Sequence, residues 1–107
     1  MDRRPTLLTV MLPLLIASGP STAQEIGSAG RGLALAQQVC GQCHAIQKEQ
    51  TKSPNDHAPA FQNIASVPGM TTIALSAALH TSHPTMPNLV LDPDELADIV
   101  AYILSLK

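Results

Sequence analysis

The chain has 107 residues, which suits one small domain and leaves no room for a second hydrophobic core. The formal net charge is −2 and only 13% of the residues are charged, so the chain lacks the basic clusters expected of a protein that binds nucleic acid or anionic lipid. With one Phe, one Tyr and no Trp, it has too few large side chains to fill a generous core, which predicts that a disulfide, a metal or a bound cofactor stabilises it.

The N-terminal segment has the layout of a secretory signal peptide. Two arginines near the start are followed by an apolar run over residues 7–17 and then by small residues that end at Ala23. The apolar run is shorter than the ~20 residues that a membrane-spanning helix needs, and a proline interrupts it. We therefore expect residues 1–23 to be removed after export to the periplasm, with no stable membrane span, leaving one domain over residues 24–107. Because two arginines and one aspartate leave with the peptide, the net charge becomes −3.

Helical patterns account for most of the remaining chain, and no segment alternates as a β-strand does. Helix-forming residues with an apolar stripe lead directly into a pair of cysteines. Threonines stand where they can cap a later helix, and prolines and other loop-forming residues separate the helical segments. The predicted helices span residues 30–40, 60–66 and 72–80, with irregular segments over 48–60 and 81–91.

The last helix has the clearest pattern. Asp92 is placed to cap its N-terminus, a proline occupies the first helical position, and Glu95 stands three residues after the cap, as in a capping box. Apolar residues then recur at helical spacing through Leu106, so one face is expected to pack while Asp94 and Asp98 contact water. The predicted fold class is all-α.

Cys40, Cys43 and His44 form a C-x-x-C-H motif, the attachment sequence for c-type haem. Two thiols separated by two residues on a helical turn are spaced to reach the two vinyl groups of one porphyrin, and the histidine that follows projects towards the iron. Neutral imidazole is a good iron ligand in either oxidation state. The motif predicts one covalently attached haem, with His44 as an axial ligand.

Three other interpretations of the cysteine pair stay open. They are a thioredoxin-like redox pair, a plain disulfide in an oxidising compartment, and half of a zinc site. A thioredoxin-like motif accompanies a βαβ pattern, which this sequence lacks, and a structural zinc site ordinarily uses two pairs of ligands. None of the three explains His44 as directly as haem does.

The chain also resembles the class I monohaem c-type cytochromes over residues 27–107. The C-x-x-C-H motif is specific, and the other shared features are specific in combination. In chain order they are Gly32, the C-x-x-C-H motif, Ala58-Pro59-Ala60-Phe61, Met86-Pro87 and Asp98-Ile99-Val100-Ala101-Tyr102-Ile103.

This resemblance implies a cytochrome c-like bundle of about four short helices around one haem. Cys40 and Cys43 match the covalent attachment points, His44 matches the proximal ligand, and Met86 matches the distal ligand. The Pro59 carbonyl is expected to accept the ring N–H of His44, which fixes the orientation of the ring.

The resemblance also implies a close crossing of the first and last helices at Gly32 and Tyr102. Glycine allows two backbones to approach each other beneath an aromatic ring. The family's usual aromatic residue four positions after the glycine is absent, since Ala36 stands there. We expect Tyr102 to lean on Ala36 and on the haem edge instead.

Several residues compete with Met86 for the distal position. Met70 lies beside a glycine just before a predicted helix and lacks the flanking prolines of Met86. Three histidines are further candidates, although such histidines more often face solvent: they are His57, His80 and His83.

The expected function is single-electron transfer without a substrate at the iron, so the protein is expected to be an electron carrier and not an enzyme. Redox proteins are the expected partners, with a dehydrogenase as donor and an oxidase or similar acceptor. The protein would act as a soluble periplasmic carrier or as a small haem subunit of a respiratory or dehydrogenase complex. The alternative is an enzyme or sensor in which an open sixth position binds peroxide or a diatomic gas.

Overall fold

The structure is a computed structural model that describes residues 26–81 and 83–107, together with Gly19. The predicted signal peptide otherwise lies outside these residues, as does the start of the predicted mature domain. The described part of the chain is all-α and contains no β-strand, which confirms the predicted fold class. Its helices are α1 (Ala29–Leu35), α2 (Phe61–Ala65), α3 (Thr72–His80) and α4 (Pro93–Leu104).

The first helix changes type before it reaches the cysteines. After α1 the chain forms one turn of π-helix over Ala36–Cys40, in which the Gly41 N–H donates to the Ala36 carbonyl at 2.8 Å. The sequence predicts a helix through this region but not its wider turn. A π-helical turn inserts one extra residue into a helix and is frequent at functional sites. Here the extra residue changes the direction in which Cys40 projects from the helix axis of α1.

The N-termini of the later helices are capped as predicted. The Thr71 hydroxyl accepts the N–H of Ala74 at 3.2 Å at the start of α3. At the start of α4, the Asp92 carboxylate accepts the Glu95 N–H at 2.8 Å, and the Glu95 carboxylate accepts the Asp92 N–H at 3.1 Å. This reciprocal pair satisfies two backbone donors, so the capping box is complete.

The last helix is the centre of the fold, because α1, α2 and α3 all pack against it. Ile99 and Ile103 of α4 are each 1% exposed and are the largest side chains at the middle of the core. The core otherwise consists mainly of small and aliphatic side chains, with Phe61 and Tyr102 as its aromatic residues. None of the helices in the described part of the chain has the length and apolar character that crossing a membrane requires.

The helices α1 and α4 cross at Gly32, as the resemblance implies. A Cβ atom at this position would lie 2.0 Å from the carbonyl oxygen of Asp98 and 2.6 Å from the Cβ of Tyr102. Only glycine permits this approach. The buried Tyr102 ring lies beside Phe61, with ring centroids 6.5 Å apart, and its hydroxyl donates to the carbonyl of Ile46 at 2.5 Å.

The expectation that Asp98 contacts water is wrong. Asp98 is 6% exposed, and its carboxylate accepts the Ser28 N–H at 2.6 Å and two guanidinium N–H groups of Arg31 at 2.7 and 2.9 Å. The close crossing at Gly32 brings the start of α1 over the flank of α4 that carries Asp98. The hydrogen bond from Arg31 holds the pKa of Asp98 below its usual range, and the Ser28 N–H acts in the same direction.

Candidate haem site

The C-x-x-C-H segment forms a compact turn after the π-helix. The Cys43 N–H and the His44 N–H both point to the Cys40 carbonyl, at 3.2 and 2.9 Å. Cys40 is half-buried and Cys43 is exposed, and no disulfide joins them in the structure. One turn of backbone therefore presents two thiols and one imidazole from neighbouring positions.

The surroundings of Cys40 differ from those of a reactive redox cysteine. Burial raises the pKa of the Cys40 thiol above its usual value. Thioredoxin-like cysteines instead have a lowered pKa, because the thiolate is the reactive form. The raised pKa of Cys40 and the absence of a strand from the described residues both disfavour the thioredoxin-like interpretation.

The His44 side chain has a defined orientation. Its Nδ1 lies 2.7 Å from the Pro59 carbonyl oxygen, and its half-buried ring packs beside Phe61 with centroids 5.3 Å apart. A carbonyl can only accept, so Nδ1 carries a proton, and in the neutral ring Nε2 then has the free lone pair. This is the usual arrangement for a histidine that binds a metal through Nε2.

Hydrogen bonds from the following loop support the motif. The buried Ser53 hydroxyl accepts the Ala45 N–H at 2.9 Å, and the Asn55 N–H donates to the Cys43 carbonyl at 3.1 Å. The Phe61 N–H donates to the Ala45 carbonyl at 2.9 Å, which joins the start of α2 to the motif. The sequence predicts this loop as exposed, and most of it is. Nothing in its composition distinguishes Ser53, because a loop has no periodicity that marks a buried position.

The Met86 side chain lies on a different part of the chain. Residues 83–86 form a tight turn in which the Met86 N–H donates to the His83 carbonyl at 3.3 Å. Half-buried Met86 lines a cavity of about 260 Å³ between this turn and the end of α3, with Leu79, His80 and His83 among its neighbours. A second cavity of about 210 Å³ shares Leu79, His80 and Leu89 with the first and is otherwise lined by aliphatic side chains.

The residues that compete with Met86 as distal ligand lie in less suitable places. Met70 is half-buried at the edge of the core, and its carbonyl accepts the Lys107 ammonium at 2.9 Å. His57 is exposed in the loop before Pro59. His80 is exposed at the end of α3, where its Nδ1 lies 2.8 Å from the carbonyl of Ser76.

The structure thus brings Cys40, Cys43, His44 and Pro59 together, whereas Met86 lines a cavity to which none of these four contributes. Within the described residues, no three His, Cys, Asp or Glu side chains are placed to hold a metal ion, as a zinc site would need. The donors fit a haem better, because haem needs two thiols for attachment and few protein ligands at the iron. Imidazole nitrogen and thioether sulfur are both suitable axial donors.

An all-α domain with a C-x-x-C-H turn after its first helix and a close crossing of its terminal helices defines a small haem protein of the c type. The cytochrome c family model matches residues 29–107. The chain is also 36% identical over 98 residues to the protein named Cytochrome c-552 from Bradyrhizobium diazoefficiens, covering 92% of each chain. No solved structure matches.

The chain belongs to the cytochrome c family. It is a small monohaem c-type cytochrome with covalently attached haem c, and its function is haem-based electron transfer. It is accordingly a redox protein and an electron carrier.

Proposed function

We propose that this cytochrome transfers single electrons through a haem whose axial ligands are His44 and Met86. The thiols of Cys40 and Cys43 form the two thioether bonds to the haem. The Pro59 carbonyl holds the imidazole of His44 in its binding orientation. Bound haem supplies the one-electron couple between ferrous and ferric iron, and no substrate binds at the metal.

The observation that carries this proposal is the contact between His44 Nδ1 and the Pro59 carbonyl at 2.7 Å. It places the proton on Nδ1 and leaves Nε2 as the donor atom. The hydrogen bond also makes the imidazole more basic and restricts rotation of the ring. His44 therefore meets the requirements of a permanent ligand.

Met86 is the distal ligand in this proposal. Its place at a cavity with a mixed polar and apolar lining supports the assignment, because half-buried Met86 faces a space that a bound group could occupy. Thioether sulfur is a soft donor that favours ferrous iron. A His/Met site consequently has a higher reduction potential than a His/His site, which suits a carrier that accepts electrons from a dehydrogenase.

The proposed location is the periplasm. The basic start, short apolar run and small residues before position 24 support export and cleavage near Ala23, which leaves a cytochrome domain over residues 24–107. There the protein acts as a soluble carrier or as a small haem subunit. It receives electrons from a dehydrogenase and passes them to an oxidase or another acceptor.

The ligand assignment is tested by the visible and near-infrared spectra of the purified holoprotein. The ferric wild type is expected to be low-spin, with the weak near-infrared charge-transfer band that marks methionine sulfur bound to ferric haem. Met86→Ala should abolish this band and lower the reduction potential while covalent haem stays in place. Met70→Ala is the matched control and should retain the band.

Two results would contradict the assignment. A band that survives in Met86→Ala would exclude Met86 as the ligand. A high-spin wild-type spectrum with rapid carbon monoxide binding would favour the enzyme or sensor with an open sixth position.

A further inference from the structure

The turn that carries Met86 also carries a second side chain able to bind iron, His83. The Met86 N–H donates to the His83 carbonyl at 3.3 Å, and the two residues form an isolated antiparallel bridge. Pro84 occupies the second position of this turn, where the fixed φ of proline is favoured. The turn therefore holds His83 and Met86 in a defined relation to each other.

These two side chains face the same space. Residues that stand directly opposite each other in an antiparallel bridge project from the same face, with Cβ atoms ~4.5–5.5 Å apart. Consistent with this rule, both His83 and Met86 line the cavity of about 260 Å³ at the end of α3. A metal centre that Met86 reaches from this cavity therefore lies on the side of the turn that His83 also lines.

The other histidines are placed less favourably. Nδ1 of His80 is tied to the carbonyl of Ser76 at 2.8 Å, which holds its ring against α3. His57 precedes Pro59 by two residues and so lies on the side of the proposed proximal ligand. Within the described residues, no hydrogen bond holds the exposed ring of His83.

We propose that His83 is an alternative axial ligand, which takes the distal position when the Met86 thioether is lost. This inference rests on the proposed function, in which Met86 is the distal ligand. In the exchange, a neutral imidazole nitrogen of His83 donates the lone pair that the Met86 sulfur otherwise donates, and the iron keeps its oxidation state. The potential falls because imidazole is a harder donor than thioether, while the distal position stays closed to external ligands.

The test compares holoprotein variants by ferric spectrum and by carbon monoxide affinity of the ferrous form. Met86→Ala should lose the near-infrared band and remain low-spin, since His83 replaces the sulfur. The double variant Met86→Ala/His83→Ala should be high-spin. If His83 occupies at least nine-tenths of the iron in Met86→Ala, removing it should tighten the apparent carbon monoxide affinity by roughly tenfold.

Matched double variants carry His80→Ala or His57→Ala in place of His83→Ala, and these should stay low-spin. A second series uses Met86→Leu in place of Met86→Ala. Leucine has nearly the volume of methionine, so this series avoids a folding defect caused by the smaller alanine side chain. His83→Ala alone should retain the near-infrared band.

The outcomes separate the two proposals. If the near-infrared band persists without Met86, the assignment of Met86 itself fails. If the band disappears and the Met86 variants are high-spin, the His/Met assignment stands and the role of His83 is refuted. A low-spin spectrum that is lost with His80 and kept without His83 would also overturn the inference.

Discussion

The proximal half of the domain and its distal segment are held together in different ways. The proximal half comprises α1, the C-x-x-C-H turn, the loop through Pro59 and α4. Its hydrogen bonds join residues far apart in the chain, such as Arg31 with Asp98 and Tyr102 with Ile46. In the distal segment, residues 67–91, most hydrogen bonds of the described residues reach only three or four residues along the chain.

Burial differs in the same way. Leu75 is the only described side chain of the distal segment that is buried in the core, and this segment exposes 82% of Ile73 and 95% of Val90. Apolar groups left in water contribute no burial free energy. We therefore expect the distal segment to depend more than the proximal half on contacts outside its own backbone, such as contacts with the haem.

The largest effect is expected from removing the proposed proximal ligand. His44→Ala leaves the haem held only by its thioether bonds, so the haem is no longer fixed in the core of a domain with two aromatic residues. We expect loss of the cooperative thermal transition, because small domains often depend on a cofactor for stability. In hydrogen exchange, residues 67–91 should lose amide protection before α1 and α4 do.

His57→Ala is the control for this substitution, since His57 is exposed and should leave haem content and melting unchanged. A His44→Ala protein that still melts cooperatively, with equal protection in both regions, would show that the distal segment does not depend on a haem fixed by His44.

A smaller effect is expected where α1 and α4 cross. Gly32→Ala places a Cβ atom 2.0 Å from the Asp98 carbonyl oxygen, so the helices must separate, at a cost of about 3 kcal/mol in the free energy of unfolding. Gly30→Ala lies on the same helix, and its Cβ would meet only the Ser28 hydroxyl at 3.8 Å. This control should be neutral or more stable by up to ~1 kcal/mol, because alanine favours helix.

Urea unfolding of the two glycine variants measures this difference directly. Equal stability would mean that α1 and α4 are not closely locked at Gly32. Close helix packing would then not explain why the proximal half is more stable than the distal segment.

Local sequence signals predicted the fold well at positions where a residue type has one characteristic structural role, such as capping a helix. The capping box at Asp92 and the cap at Thr71 are of this kind, whereas the role of Gly32 at the helix crossing came from the family resemblance. The π-helical turn before Cys40 was not predicted, because its residues favour any helical backbone and its width depends on where the turn must place the cysteine.

The site divides in a similar way. The C-x-x-C-H motif identifies its own residues, and the contact of His44 with Pro59 follows the family resemblance. The support from Ser53 and the burial of Asp98 depend on tertiary contacts over long sequence separations. Periodicity placed Asp98 on the polar face of α4, and it contains no information that another helix covers that face.

Asp98 provides the smallest and most specific test of the proximal half. Because the hydrogen bonds from Arg31 and Ser28 hold the pKa of Asp98 below its unfolded value, the folded state favours the carboxylate. This stabilisation is present in full above the unfolded pKa of about 3.9 and is lost as the pH falls through the lowered folded pKa. Asp98→Asn should therefore be less stable than the wild type at neutral pH, and the difference should shrink in acid.

Urea unfolding over a pH series measures this convergence, with Asp56→Asn as the control because Asp56 is exposed and forms no ion pair with Arg31. Added salt should weaken the difference only in part. The Arg31 side chain is 70% exposed and open to screening, but the Asp98 carboxylate is buried and also accepts a backbone N–H. A variant as stable as the wild type at neutral pH would show that packing at Gly32 alone locks the helices. The long-range hydrogen bonds would then not be what distinguishes the proximal half from the distal segment.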